Sequence, residues 1–233
     1  GGATRTVSVL SGGGTFSGVI SNGGLTINAS SAMLTLDNAN TYANGTTLQS
    51  GTLALANNSG LGTGTLTING GVLASLSAVR APTNNIVANA DFSLGGLSQG
   101  INLQGTVNLG GTARTITLLN SATFSGVVSN GGITLGSSGS PKTLFLTASN
   151  SYAGGSTVNA GVLKANHANA FGSGTVTVAA GATVDLNSLA VANAIINSGT
   201  ILNASNYAGT QTLLASATYS SLSGASTLNV GSG

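Results

Sequence analysis

The amino-acid sequence predicts an all-β chain wound as a parallel β-helix, a solenoid of roughly 11–12 coils. Three observations carry this. The stretch NTYANGTTLQSGTLALANNSGLGTGTLTI (Asn40 to Ile68) returns further along, from Asn150 to Val178, as NSYAGGSTVNAGVLKANHANAFGSGTVTV. A finer step lies inside each copy, from Gly51 to Gly71, from Gly161 to Gly181 and from Gly181 to Gly199. Apolar residues alternate with Thr, Ser and Asn in short runs, and Gly or Asn-Gly separates the runs. Period-two alternation marks strands and Asn-Gly pairs mark turns. A step of about 20 residues holding several short strands is one coil of a β-helix.

Taken in order, residues 1–36 read as short strands: RTVSVL (Arg5 to Leu10), TFSGVI (Thr15 to Ile20), a turn at SNGG (Ser21 to Gly24), LTI (Leu25 to Ile27) and LTL (Leu34 to Leu36). The same order returns as GGTARTITLL (Gly110 to Leu119) and TFSGVVSNGGITL (Thr123 to Leu135). The chain therefore divides into two repeat units, 1–109 and 110–233, continuous as one solenoid. Pro82 has no N–H to give to a ladder, so Arg80 to Asn85 is placed in a loop or irregular corner. Pro141 marks a similar insertion. The tail TLNVGSG (Thr227 to Gly233) resembles TVNLGGT (Thr106 to Thr112), the point where the first unit hands over to the second. Both ends are expected to be open coil edges without a polar cap, able to stack on further coils.

Composition narrows function by exclusion. Charged residues are 3% of the chain, against about 25% in an ordinary globular protein. Arg5, Arg80, Arg114, Lys142 and Lys164 are dispersed, so no nucleic-acid surface is expected. Cysteine is absent, which removes thiolate chemistry and disulfides. No apolar run approaches a membrane span, and GGATRTV has no signal-peptide pattern; an export signal is expected outside this chain.

LTLDNANTYANGTTLQSGTLAL (Leu34 to Leu55), its copy LFLTASNSYAGGSTVNAGVLKA (Leu144 to Ala165), and the stretches LGTGTLTINGGVL and FGSGTVTVAAGATVDL that follow them resemble the autotransporter-associated β-strand repeat. The resemblance implies a right-handed parallel β-helix in large secreted or surface-displayed bacterial proteins. It implies no catalytic residues.

The search for chemistry agrees. The acids are Asp37, Asp91 and Asp185, in different coils, and Asp37 and Asp185 meet Thr147 and Ser75 in the other copy, so a paired-carboxylate mechanism is not expected. His167 has Asp185 about one coil away but no nucleophile elbow beside it. No metal site, cofactor or enzymatic activity is expected. The Gly-rich runs lack the helix and Lys of a phosphate loop and read as turns. Tyr42 and Tyr152 read as packing at coil corners. Thr65/Thr67, Thr115/Thr117 and Thr175/Thr177 do not recur in successive coils, so no flat ice-binding face is expected.

The expected function is that of a non-catalytic extracellular stalk or fibre subunit, stacking end to end on copies of itself or on neighbouring repeats. The interface would use Arg5, Thr6, Val7, Val9 and Leu10 at one end and Thr227, Leu228 and Val230 at the other. The alternative is an adhesin segment touching surface glycans, with the loop around Pro82 as its candidate.

Overall fold

The computed structural model describes residues 2–214, 217–219 and 227–230, with backbone alone for 219 and 227–230. Among these residues the chain is all β: 24 strands, most of them short, and every strand pairing is parallel. The strands stack as a β-helix of about 10 turns. At about 4.8 Å per turn this is a rod of roughly 50 Å. The turns are fewer than the sequence step suggests because the middle coils are longer. Leu94 pairs with Leu118, and Ala122 pairs with Leu144, each a wider spacing than Leu53 to Leu73.

Three ladders run along the rod. The first joins Arg5, Leu25, Thr46, Leu66, Ile86, Val107 and Val128. The second joins Leu34, Leu53, Leu73, Leu94 and Leu118, and Ile133, Ser156, Val176, Ile195, Gln211 and Leu228 continue it. The third begins with the Arg80–Ile101 bridge and passes through Ala122, Leu144, Leu163, Val184, Ile201 and Tyr219. Pairing crosses the 109/110 boundary without a break, since Val107 pairs with both Ile86 and Val128.

The two copies of the repeat lie on different ladders. Thr46 and Leu66 stand on the first ladder, while their counterparts Ser156 and Val176 stand on the second. Leu53 is on the second ladder and its counterpart Leu163 on the third. The tail follows the same rule: Val107 is on the first ladder, and Leu228, its counterpart, is on the second. Each copy is thus advanced by one side of the rod. A segment can move between sides only if the sides are nearly equivalent. They are, because each presents an inward stack made mostly of Leu, Val and Ile, broken by buried Thr46 on the first ladder and by Ser156, Asn197 and Gln211 on the second, and an outward layer made mostly of small polar groups.

The core is this inward stack. Leu34, Leu53, Leu73, Leu94 and Leu118 are buried in successive coils of one ladder, as are Leu144, Leu163, Val184 and Ile201 of another. Burying one such side chain stabilises by about 1.5–3 kcal/mol. Outward positions also stack. Thr6, Thr26, Thr47 and Thr67 pair coil on coil, and so do Thr115, Thr134, Thr157 and Thr177. The Thr-x-Thr pairs themselves do not recur in successive coils, as expected, since Thr117 pairs with Ser93 and Gly136. Single threonines do recur, and the unequal lengths of these coils hide their alignment from a search for Thr-x-Thr pairs. Beside the first stack the Asn69 amide donates to Gln49 (3.2 Å) and the Asn89 amide to Asn69 (3.1 Å), an amide ladder on the surface.

Turn chemistry is where the sequence placed it. Asn22 and Asn130, in the two SNGG turns, have φ of 61° and 56°, the left-handed region that Asn tolerates. Arg80 to Asn85 forms an irregular corner and not a projecting loop. Pro82 is buried, and its carbonyl accepts the Gln104 N–H at 3.0 Å.

Candidate functional site

The first candidate is the coil edge. Strand Thr4–Ser8 pairs with Gly24–Asn28 on one side and has no partner on the other among the described residues. Arg5 and Thr6 are exposed, Val7 and Val9 are half-buried against the core, and Leu10 is 85% exposed. The sequence-derived edge residues therefore form one continuous strip with an unpaired backbone. At the far end, Thr227–Val230 forms a strand paired with Thr210–Leu213. The side chains of Thr227, Leu228 and Val230 lie outside the described residues, as do residues 231–233 of the tail.

The second candidate is the corner built by the repeat motif itself. Tyr42 and Tyr152 are both fully buried. The Tyr42 hydroxyl lies 2.6 Å from Thr46 Oγ1, and the Tyr152 hydroxyl lies 2.7 Å from Ser156 Oγ. Burial pushes the Tyr42 phenol up to about 12 against the opposing effect of the Thr46 hydrogen bond, and it raises Tyr152 further still. The tyrosines do pack at coil corners, as the sequence suggests. It did not suggest that each also carries a buried hydroxyl pair that ties the corner to the strand after it.

Asparagines complete the corner, and the sequence reading missed them. Asn40 Oδ1 accepts the Ile20 N–H (2.7 Å) and its Nδ2 donates to the Gly60 carbonyl (2.7 Å), linking three successive coils. Asn150 repeats this with the Val128 N–H (2.7 Å) and the Ala170 carbonyl (2.6 Å). The signal was their recurrence at matched positions of the two copies, hidden in a chain rich in Asn. A third corner appears at Tyr207, whose hydroxyl donates toward the carbonyls of Asn193 (2.6 Å) and Thr210 (2.8 Å). Glycine closes the corner: Gly62 and Gly172 have φ of 65° and 60°, and a Cβ on either would strike the carbonyl of Tyr42 or Tyr152.

Beside these corners lie two clefts. One, of about 350 Å³, is lined by residues including Asn40, Ser59, Gly62, Thr65, Thr83 and Asn84. The other, of about 150 Å³, is lined by Asn169, Gly172, Ser173, Ala192 and Asn193. They are repeat counterparts. Asn84 donates to the carbonyls of Gly62 (3.0 Å) and Gly64 (2.7 Å), and Asn193 donates to those of Gly172 (3.0 Å) and Gly174 (2.8 Å).

The three carboxylates are not brought together, and Lys164 with Asp185 forms the ion pair among the described residues. Asp37 and Asp91 are exposed, and Asp91 accepts the Thr115 N–H at 2.8 Å. Asp185 is buried and fully engaged. Lys164 Nζ reaches its Oδ2 at 2.7 Å, and its Oδ1 accepts from the Asn187 N–H (2.8 Å) and Asn203 Nδ2 (2.7 Å). Burial alone would raise its pKa. The hydrogen bonds from Lys164, Asn203 and Asn187, together with the Lys164 charge, outweigh burial and hold the carboxyl below its usual 3.8. His167 Nδ1 accepts the Asn169 N–H (3.0 Å), and no hydrogen bond joins it to Asp185. No cluster of three or more His, Cys, Asp or Glu occurs among the described residues.

Fold and corners together define a repeat-built parallel β-helix whose recurring unit is strand, Asn/Tyr corner, strand. The family model described as the passenger-associated-transport-repeat matches the chain twice, at residues 30–55 and 142–165. Each match spans one Asn/Tyr corner with the strands on both sides of it, so the two corner segments are similar to that repeat. No curated protein and no solved structure matches the chain.

Proposed function

We propose that this chain is a rod-forming segment of a secreted, surface-displayed autotransporter passenger, with a structural and non-catalytic role. One observation carries the reading. Both passenger-repeat matches fall on the segments that build the coil corners, and those corners recur along one unbroken stack of parallel strands. The mechanism is geometric. Each coil offers its edge as the template for the next, so the hydrogen-bond ladders and the apolar stack lengthen together. Dense pairing favours slow unfolding, and a surface of Thr, Ser and Asn with five Lys or Arg in the whole chain gives proteases few basic cleavage points.

The finer reading is end-to-end stacking. The unpaired outer edge of Thr4–Ser8, flanked by half-buried Val7 and Val9 and exposed Leu10, would accept a parallel strand from a neighbouring coil. That coil belongs either to another copy or to adjoining repeats of the same protein. Electron microscopy of the purified chain over a concentration series tests this. Rods that lengthen with concentration, and that stay short when Val7→Lys and Leu10→Lys are combined, support stacking. Discrete short rods at every concentration, or filaments unchanged by the two lysines, contradict it. The second reading, a glycan-contacting adhesin segment, rests on the cleft beside the Pro82 corner.

A further inference from the structure

We propose that the cleft between the Tyr42 corner and the Pro82 corner is a binding site for an uncharged, hydroxyl-rich ring, a neutral pyranose, with a smaller copy of the site in the second unit. The floor is rigid. The Asn84 amide pins the carbonyls of Gly62 and Gly64, and Gly62 sits where a Cβ would strike the Tyr42 carbonyl. A preformed floor lowers the ordering cost of binding.

Asn84 is 7% exposed, and no described residue donates to its Oδ1. Asn193 is 8% exposed and stands in the same condition in the second cleft. Neither oxygen is among the fully buried polar atoms without a partner, so each reaches the cleft surface as an acceptor open to a donor from water or a ligand. Around it, the hydroxyls of Ser59, Thr65 and Thr83 line the cleft and make no hydrogen bond to the described residues. Asn85 accepts through its Oδ1 from Thr106 (3.1 and 2.9 Å), which leaves its Nδ2 as a donor at the rim.

These groups select a chemistry. Hydroxyls that can donate or accept, beside one committed acceptor and one committed donor, match a ligand that offers alternating hydroxyls. No lysine or arginine lines the cleft, so it has no charged partner for a carboxylate or phosphate. The lining is too polar for an apolar ligand. The second cleft has Ala192 where the first has Thr83 and is less than half the volume, so it should hold the ring more weakly.

The test is an amide-resolved NMR titration of the whole chain with glucose, galactose, N-acetylglucosamine and cellobiose. Saturable shifts confined to residues 59–65 and 83–85, with weaker ones at 169–174 and 192–194, are expected for at least one sugar. Thr65 and Thr83 are exposed and outside the core, so Thr65→Lys with Thr83→Lys should fill the first cleft without lowering Tm. It should weaken the first set of shifts by about tenfold or more and leave the second set in place. The proposal is overturned if no neutral sugar gives saturable shifts at tens of millimolar. It is also overturned if the shifts survive the two lysines, or if galacturonate binds better than its neutral counterpart. The rod reading does not depend on either outcome.

Discussion

The segments 40–68 and 150–178 have the same local structure and different surroundings. Each has a buried tyrosine bonded to the hydroxyl four residues on, an asparagine tying three coils together, and a glycine with positive φ seated against the tyrosine carbonyl. Yet the strand after the first corner stands on the first ladder, and the strand after the second corner stands on the second. The difference teaches that the corner is autonomous: its bonds run within its own coil and to the coils above and below, and the same set forms on either side of the rod. A feature fixed to the repeat is therefore presented on successive sides as the chain lengthens.

The comparison can be tested by cutting equivalent groups from each copy. The largest effect is expected in the core. Leu53→Ala and Leu163→Ala remove equally buried side chains on different ladders, and each should cost about 2–5 kcal/mol. If the sides are equivalent, the two losses measured by chemical denaturation agree closely. A loss confined to one copy would mean that one side dominates the rod.

Next come the asparagines. Asn40→Ala strips a partner from the half-buried Ile20 N–H and the buried Gly60 carbonyl, and Asn150→Ala from the buried Val128 N–H and Ala170 carbonyl. A cost of about 1–3 kcal/mol is expected for each, with faster amide exchange at Ile20 and Val128. Tyr42→Phe and Tyr152→Phe should cost less, about 1 kcal/mol each. The phenols also give alkaline sensitivity. Their folded pKa values are raised, so their stabilising contribution is whole below about pH 10. It falls as pH rises from there through the folded values. Thermal melts across the alkaline range should show this fall in the parent and a shallower one in the double Phe variant.

The smallest effect separates the copies. Asp185 has no counterpart, since Ser75 stands in its place and accepts the Arg80 N–H at 3.2 Å. The lowered pKa of Asp185 means that its contribution is present above about pH 4 and is lost as pH falls through the folded value. Acid should loosen the second unit first. Amide exchange at Lys164 and Leu202, compared with the first unit as pH is lowered through the carboxylate range, would report it, and Asp185→Ser should remove the difference.

The solenoid was legible in the sequence because its causes are local and periodic. Inward Leu, Val and Ile alternate with Thr and Ser, Asn-Gly marks left-handed turns, and the repeat returns in matched order. The shift of ladder was not legible. It depends on how many residues each corner uses, and the long step from Leu94 to Leu118 is set by corner geometry that no alternation records. That Thr4–Ser8 pairs on one side only among the described residues was legible, because the first coil of any stretch of solenoid has one neighbour within that stretch. The Pro82 stretch that forms one wall of the first cleft was singled out in the sequence, but the opposite wall at Ser59 to Thr65 and the second cleft were not, because Asn84 and Asn193 differ from the chain's many surface amides only in their surroundings.

The most direct measurement uses the absence of cysteine. Thr134 and Thr157 are neighbours on the second ladder, whereas Ser129 stands on the first. Paired cysteines at Thr134/Thr157 and, separately, at Ser129/Thr157 can be challenged with a short thiol crosslinker. A rod with its copies on different sides predicts rapid crosslinking of T134C/T157C and little of S129C/T157C. The reverse result would place Thr157 over the first ladder, in line with Thr47, and would contradict the shift between copies.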